Sequence, residues 1–290
     1  MTAGQRARRR RGLLLVAPAL AVLLLLTGYP SLYVLWLSLQ HRVPVFGIAE
    51  FAGLGHYAFL AQDPRFWSAV RTTGLFTVAS VLLELGLGLL VALALQARPR
   101  GRRLGLSLLL LAWAMPAVVT AKLFEWLYHP SAGLVNVVLG GWALNWLGDP
   151  RLALPAVILS DVWRTMPFVA ILAYARLLSI PAEVYEAAQM DGAGRLGTLR
   201  HVTLPLLRQI VMIAVLFRTL DAVRAFDIMY VLTGGGPANA TETLTVYAYR
   251  SLFQMLQLGF GSAIGMIVFA LVMTVAWAYL RLLRREGVVT

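Results

Sequence analysis

The chain has 290 residues, 60% of them hydrophobic and only 13% charged, with a net charge of +12 and no cysteine. A soluble domain carries about 25% charged and roughly 45–50% apolar residues, so this composition excludes an ordinary soluble enzyme and indicates an integral membrane protein. Without cysteine there is no disulfide framework, thiolate metal site or cysteine nucleophile, and the basic residues gather at the ends of apolar runs instead of forming a nucleic-acid-binding stripe.

A membrane-crossing helix needs roughly 20 mainly apolar residues, and six stretches qualify. Residues 1–12, with the run RARRRRG, form a basic N-terminus. Span one follows near 13–39; its apolar run is too long for a cleavable signal and reads as a retained helix. Span two, near 67–96, contains Glu84, a charge with no local partner, for which an interhelix hydrogen bond is expected. Span three, near 104–127, has Trp113 and Pro116 in its interior and Lys122 and Glu125 near one end. Span four, near 152–178, carries Asp161 and Arg164 beside Trp163 and Thr165. The loops 40–66, 128–151 and 233–261 lie on one side, and Trp67, Trp126, Trp142 and Trp146 fall where an interfacial belt belongs.

Residues 179–204 are too polar to cross. Pro181 suits a helix start, Glu183 and Glu186 suit the positive end of its dipole, and Gly192 and Gly194 break the helix after Asp191. A second short helical piece then leads to Pro205, at the start of span five, so the segment reads as a helix–turn–helix bracket. An interfacial anchor would expose Leu, Phe or Trp; this stretch instead pairs Ala187 with Ala188 and offers Glu186 and Asp191, as a surface for another protein would.

Span five, near 204–232, contains FRTLDAVRAFD, with Arg218, Asp221, Arg224 and Asp227 at steps of three. Such residues share one helix face, and a charge at the bilayer centre costs about 2.5–3.5 kcal/mol. The ladder either neutralises itself to permit insertion or lines a hydrophilic path. Span six, near 262–283, leads to a C-terminus at 284–290. With the N-terminus in the cytoplasm, sixteen arginines outside the charged span interiors fall on the inner side and five on the outer. The positive-inside rule thus predicts a multi-pass plasma-membrane protein with both termini, and the bracket, in the cytoplasm.

Lys122 is the only lysine, so no P-loop exists; the four histidines are scattered, and no metalloprotease or serine-hydrolase motif occurs. The chain is therefore not expected to be an enzyme. An ion-coupled carrier and an intramembrane enzyme are the readings of other classes, and no inverted repeat supports the first.

The sequence resembles a known family. Glu186-Ala187-Ala188, Asp191-Gly192 and Leu204-Pro205 are similar to the EAA loop of permease subunits of binding-protein-dependent ABC importers. LLSIPAEVYEAAQMDGAG, HVTLPLL, AMPAVVTAKLFEWLY and FRTLDAVRAFDIMYVLTGGGPANATETLTVYAYRSLF resemble the maltose/trehalose/glycerol-phosphate type, over roughly residues 10–285. The resemblance implies an all-α type I importer permease of six transmembrane helices, working with a second related permease, two ATPases that bind ATP and Mg, and an external sugar-binding protein. It implies no cofactor in this chain. It makes the bracket a coupling helix, with Glu183, Glu186, Ala187, Ala188, Asp191 and Gly192 meeting the ATPase. It also implies a sugar site at Trp113 and Ala117, at Arg164 and Thr165, and at Arg218, Asp221, Ala222 and Ala225. Several of these positions carry alanine or charge where the maltose-type protein has hydroxyl or amide. The expected cargo is a neutral disaccharide or small oligosaccharide, with glycerol 3-phosphate or another polyol phosphate as the alternative.

Overall fold

The computed structural model describes residues 15–98, 100–140 and 144–285. The basic stretch 1–12, Trp142 and residues 286–290 lie outside the described residues. The chain divides into two compact units, one drawn from residues 1–63 and 248–267 and the other from 64–247 and 268–290.

In the first unit, helix α1 (Leu15–Ser38) contains a stretch of wide π turns at Leu24–Gly28. It is followed by strands β1 (Gln40–Val43) and β2 (Ile48–Phe51), antiparallel with Gln40 opposite Phe51. This hairpin falls in the predicted 40–66 loop and is the one sheet among the described residues. Gly47 closes its turn at φ +66°, a left-handed conformation that glycine adopts without steric cost. Helix α2 (Gly55–Gln62) comes next. Its Phe59 and the neighbouring His56 meet Phe260 edge-on, at 5.7 and 5.9 Å between ring centroids.

The second unit is built on α3 (Pro64–Ala97) and α7 (Pro150–Leu178). Phe76, Ser80, Glu84, Gly88 and Ala92 recur every fourth residue on α3 and form a buried stripe of mostly small or polar groups. The opposite face shows Leu75, Val78, Leu82 and Leu90 at 50–63% exposure. That is the membrane pattern: lipid solvates the large apolar side chains, while small residues let backbones approach. At Gly88 a Cβ would lie 2.8 Å from Val169 Cβ on α7. α7 is the most enclosed of the long apolar helices, and holds Pro155 and Pro167 in its interior.

Between them, α4 (Arg102–Ala114) and α5 (Ala117–Leu127) replace the single span three expected near 104–127. Their axes bend by 101°. Pro116 has no N–H to donate and forces the preceding residue out of helical geometry; Met115 is extended, at φ −69° and ψ 131°. A short α6 (Leu134–Val138) follows. Trp146 donates its indole N–H to Asn136 Oδ1 at 2.8 Å, and Trp67 and Trp126 are exposed.

After α7 come α8 (Ala182–Met190) and α9 (Arg195–Thr198), the two pieces of the bracket, and then π turns at Leu199–Thr203. Span five is also divided, into α10 (Leu204–Val223) and α11 (Asp227–Thr233). Helix α12 (Leu244–Tyr249) lies in the following loop, and α13 (Leu258–Arg285) ends the described chain. Among the described residues four helices are long and apolar enough to cross a membrane, or five if the bent α4–α5 pair is one span. The remaining expected crossing, α10, is interrupted in apolarity by Arg208, Arg218 and Asp221.

Candidate functional site

Both helix breaks serve one cavity. Irregular backbone is tolerated at membrane depth only where protein covers it or water reaches it, and here the Met115–Pro116 break and the Arg224–Phe226 break flank a cavity of about 350 Å³. All eight residues expected to form the sugar site line it. Trp113 and Ala117 come from the two sides of the first break; Arg164 and Thr165 come from the middle of α7; Arg218, Asp221 and Ala222 come from the end of α10; Ala225 lies in the second break. The sequence reading left Asp161, Arg224, Phe226, Asp227 and Ile228 out of the site, though they line it too.

The wall combines two aromatic rings, of Trp113 and Phe226, with alternating charges. Trp113 is half-exposed and stacks on Phe168, 6.1 Å between centroids and 26° between planes. Arg164 donates to Asp161 Oδ1 at 3.0 Å, and Arg224 donates to Asp221 Oδ1 at 2.7 Å. Part of the predicted span-five ladder is therefore real: Arg218, Asp221 and Arg224 are successive neighbours, with Arg218 Nη1 3.5 Å from Asp221 Oδ2. Asp227 leaves the ladder because α10 ends at Val223 and Asp227 opens α11.

Arg218 is not chiefly held by its own helix. Its Nε and Nη2 donate to the two oxygens of Glu84 on α3, the Nη2 bond at 2.8 Å, and Nη2 also reaches Asp161 Oδ2 at 3.3 Å. A bidentate guanidinium–carboxylate pair fixes both distance and plane. Thr165 Oγ1 lies 2.6 Å from Glu84 Oε1 and 2.7 Å from the Asp161 carbonyl, so its one proton serves two acceptors. Glu84, Arg218, Asp161 and Thr165 are all at most 6% exposed. The interhelix partner expected for Glu84 is thus an ion pair across three helices. Thr245 Oγ1 adds a second tie, donating at 2.7 Å to the carbonyl of Ala225 within the break.

The bracket has the opposite character. Glu183, Glu186, Ala187, Asp191 and Gly192 are exposed, whereas Ala188 is buried beneath the helix, so the two alanines do not share a face. Gly192 sits at φ +77° just past the helix end. The Ala193 N–H donates to the Ala188 carbonyl and the Gly192 N–H to the Gln189 carbonyl, at 2.9 and 3.0 Å. This is the doubly bonded glycine cap that satisfies the last carbonyls of a helix. Behind the bracket, Tyr174, Leu177, Ile180 and Leu207 form an apolar cluster with Val184 and Tyr185 packed on it. Arg176 Nε donates to the Leu206 carbonyl at 3.2 Å and fastens α7 to α10. Met190 and Leu196 point outward at 88% and 77% exposure.

Among the described residues no cluster of His, Asp and Glu is arranged to hold a metal ion.

Comparison with known proteins agrees with this architecture. Residues 84–287 match the family of binding-protein-dependent transport system inner membrane components. The chain is 38% identical to the trehalose/maltose transport system permease protein MalF of Thermococcus litoralis, across 93% of this chain and 92% of that protein. It is 38% identical to the sulfoquinovosyl glycerol transport system permease protein SmoG of Agrobacterium fabrum, across 96% and 92%. It is 35% identical to the trehalose transport system permease protein SugA of Mycobacterium tuberculosis, across 97% and 91%. In fold it is similar to a chain of a bacterial ABC transporter that imports the acidic polysaccharide alginate, with a TM-score of 0.82, 22% identity, and 98% and 99% of the two chains covered. The chain is a multi-pass membrane permease and belongs to the family of inner membrane components of binding-protein-dependent transport systems.

Proposed function

We propose that this chain is one permease subunit of an ATP-driven importer whose cargo is a neutral disaccharide or small oligosaccharide of the trehalose or maltose kind. The observation that carries the reading is the convergence of eight dispersed residues, from Trp113 to Ala225, on one cavity. The indole face suits a sugar ring, and carboxylates paired with guanidinium groups suit its hydroxyls. Trehalose/maltose and trehalose permeases among the relatives support the same class.

A second, related permease completes the path. Arg224 and Asp221 are 63% and 50% exposed at their side chains, and charges at membrane depth are not left to lipid. An external binding protein delivers the sugar. The bracket docks on one of two cytoplasmic ATPases, which bind ATP and Mg, so this chain needs no cofactor and catalyses no reaction. α7 carries Thr165 at the cavity and ends at the bracket 13 residues later, about 20 Å along a helix; α10 returns from the bracket to Arg218. Movement of the bracket is thereby delivered to the cavity along two stiff rods. Arginine distribution supports six crossings with both termini in the cytoplasm of a bacterial or archaeal plasma membrane.

The test is reconstitution of the complex in liposomes with its binding protein and ATPases. Disaccharide uptake that stops when ATP is withheld supports the proposal. Uptake by this chain alone on a proton or sodium gradient, or uptake confined to polyol phosphates, overturns it.

A further inference from the structure

We propose that Glu84, which does not line the cavity, sets the charge of the sugar site through Arg218 and so excludes anionic sugars. The inference rests on the cavity being the sugar site. Three aspartates, Asp161, Asp221 and Asp227, and three arginines, Arg164, Arg218 and Arg224, line the cavity and cancel in formal charge. Glu84 stands behind them, wholly buried and paired with Arg218, and makes the total four carboxylates against three guanidinium groups.

Its hydrogen bonds matter as much as its sign. A phosphate or sulfonate is recognised by an arginine fork that is free to face it. The Arg218 fork is already occupied: Nε and Nη2 are held by Glu84, Nη2 is shared with Asp161, and Nη1 is directed to Asp221. Arg164 and Arg224 each donate to an aspartate of their own segment. Every arginine around the cavity therefore meets a carboxylate already, and the surplus carboxylate is the hidden one. Glu84, Arg218 and Asp161 are buried, and a unit charge enclosed by protein acts more strongly than one in water. Glu84 is a positioning and specificity-determining residue: it touches no sugar, but it orients Arg218 and cancels its charge. Thr165, 2.6 Å from Glu84 Oε1, keeps the carboxylate in place.

The test uses the full-length chain assembled with its partner subunits in nanodiscs. Tryptophan fluorescence, with Trp113 in the cavity wall, reports binding of a neutral disaccharide and of its monophosphate ester. The native protein is expected to bind the neutral sugar and discriminate against the ester. Binding of neither would remove the sugar-site reading itself; preference for the ester would overturn the role given to Glu84. Glu84→Gln keeps the shape and can still bond Thr165, and should move the preference at least about tenfold toward the ester. Glu84→Asp, which keeps the charge, should leave the ratio near the native value. Arg218→Gln should move it the other way, further against the ester. A folded Glu84→Gln protein with an unchanged ratio contradicts the proposal. If that variant does not fold, an Arg218→Gln ratio that fails to move against the ester contradicts it equally, because a purely structural tie between helices has no sign.

Discussion

The same two helices serve the cavity and the bracket: the bracket joins the end of α7 to the start of α10, and the cavity is lined by the middle of α7 and the end of α10. The two regions treat charge in opposite ways. Around the cavity each arginine is paired, and Glu84, Asp161 and Arg218 are closed off from the surroundings. On the bracket, Glu183, Glu186 and Asp191 are exposed, and among the described residues none of them joins an ion pair. The backbone is reversed too. The cavity is made where two helices break, whereas the bracket turn has its last carbonyls capped. The contrast fits the proposed function, in which the cavity charges are paired within this chain and the bracket charges meet another subunit. Within the bilayer a charge must be satisfied by the protein itself, because an unpaired one is costly. In water it can remain open for another protein.

This contrast can be broken by substitution, and the largest effect belongs to the buried pair. Arg218→Ala or Glu84→Ala leaves one charge enclosed without its partner and should cost about 3–5 kcal/mol in unfolding measurements. Replacing both by methionine should restore much of that loss, since no charge is then stranded. Next is Gly88, where α3 and α7 touch with no room for a side chain. Gly88→Leu should cost about 1–3 kcal/mol by overpacking, read as a lower thermal midpoint.

Gly192→Ala acts on the bracket cap and should cost about 1–2 kcal/mol, because only the left-handed backbone at φ +77° is affected and open space surrounds it. Smallest in stability is Glu186→Gln, within about 0.5 kcal/mol of the native protein, as for exposed surface groups. On the proposed docking role it should nevertheless weaken ATPase association in a pull-down. A Glu186→Gln protein as unstable as Glu84→Ala would erase the distinction between the two regions.

Much of this was legible in the sequence because membrane helices are written in long apolar runs. The expected spans near 67–96 and 152–178 end within three residues of α3 and α7. The bracket was legible through Pro181 and Gly192, whose backbone preferences act locally. The breaks were less so. Pro116 is a visible signal, but the apolar run continues past it and hides the 101° bend. At Arg224-Ala225-Phe226 there is no proline or glycine; tertiary bonding, including Thr245 to the Ala225 carbonyl, accompanies the break, and no local pattern announces it. Glu84 and Arg218 are 134 residues apart, so spacing could show that Glu84 lacked a local partner but not which residue supplied one. The hairpin was missed because four-residue strands give too short an alternation to detect.

The division of roles is tested most directly by comparing Asp221→Ala with Glu186→Gln in the reconstituted complex, measuring sugar-stimulated ATP hydrolysis against sugar concentration. Asp221→Ala should raise the concentration needed for half-maximal stimulation at least about tenfold, with the ATPases still bound. Glu186→Gln should leave that concentration unchanged and lower the maximal stimulated rate. If both variants shift the same parameter, the cavity and the bracket are not separate sites for cargo and drive, and the account fails.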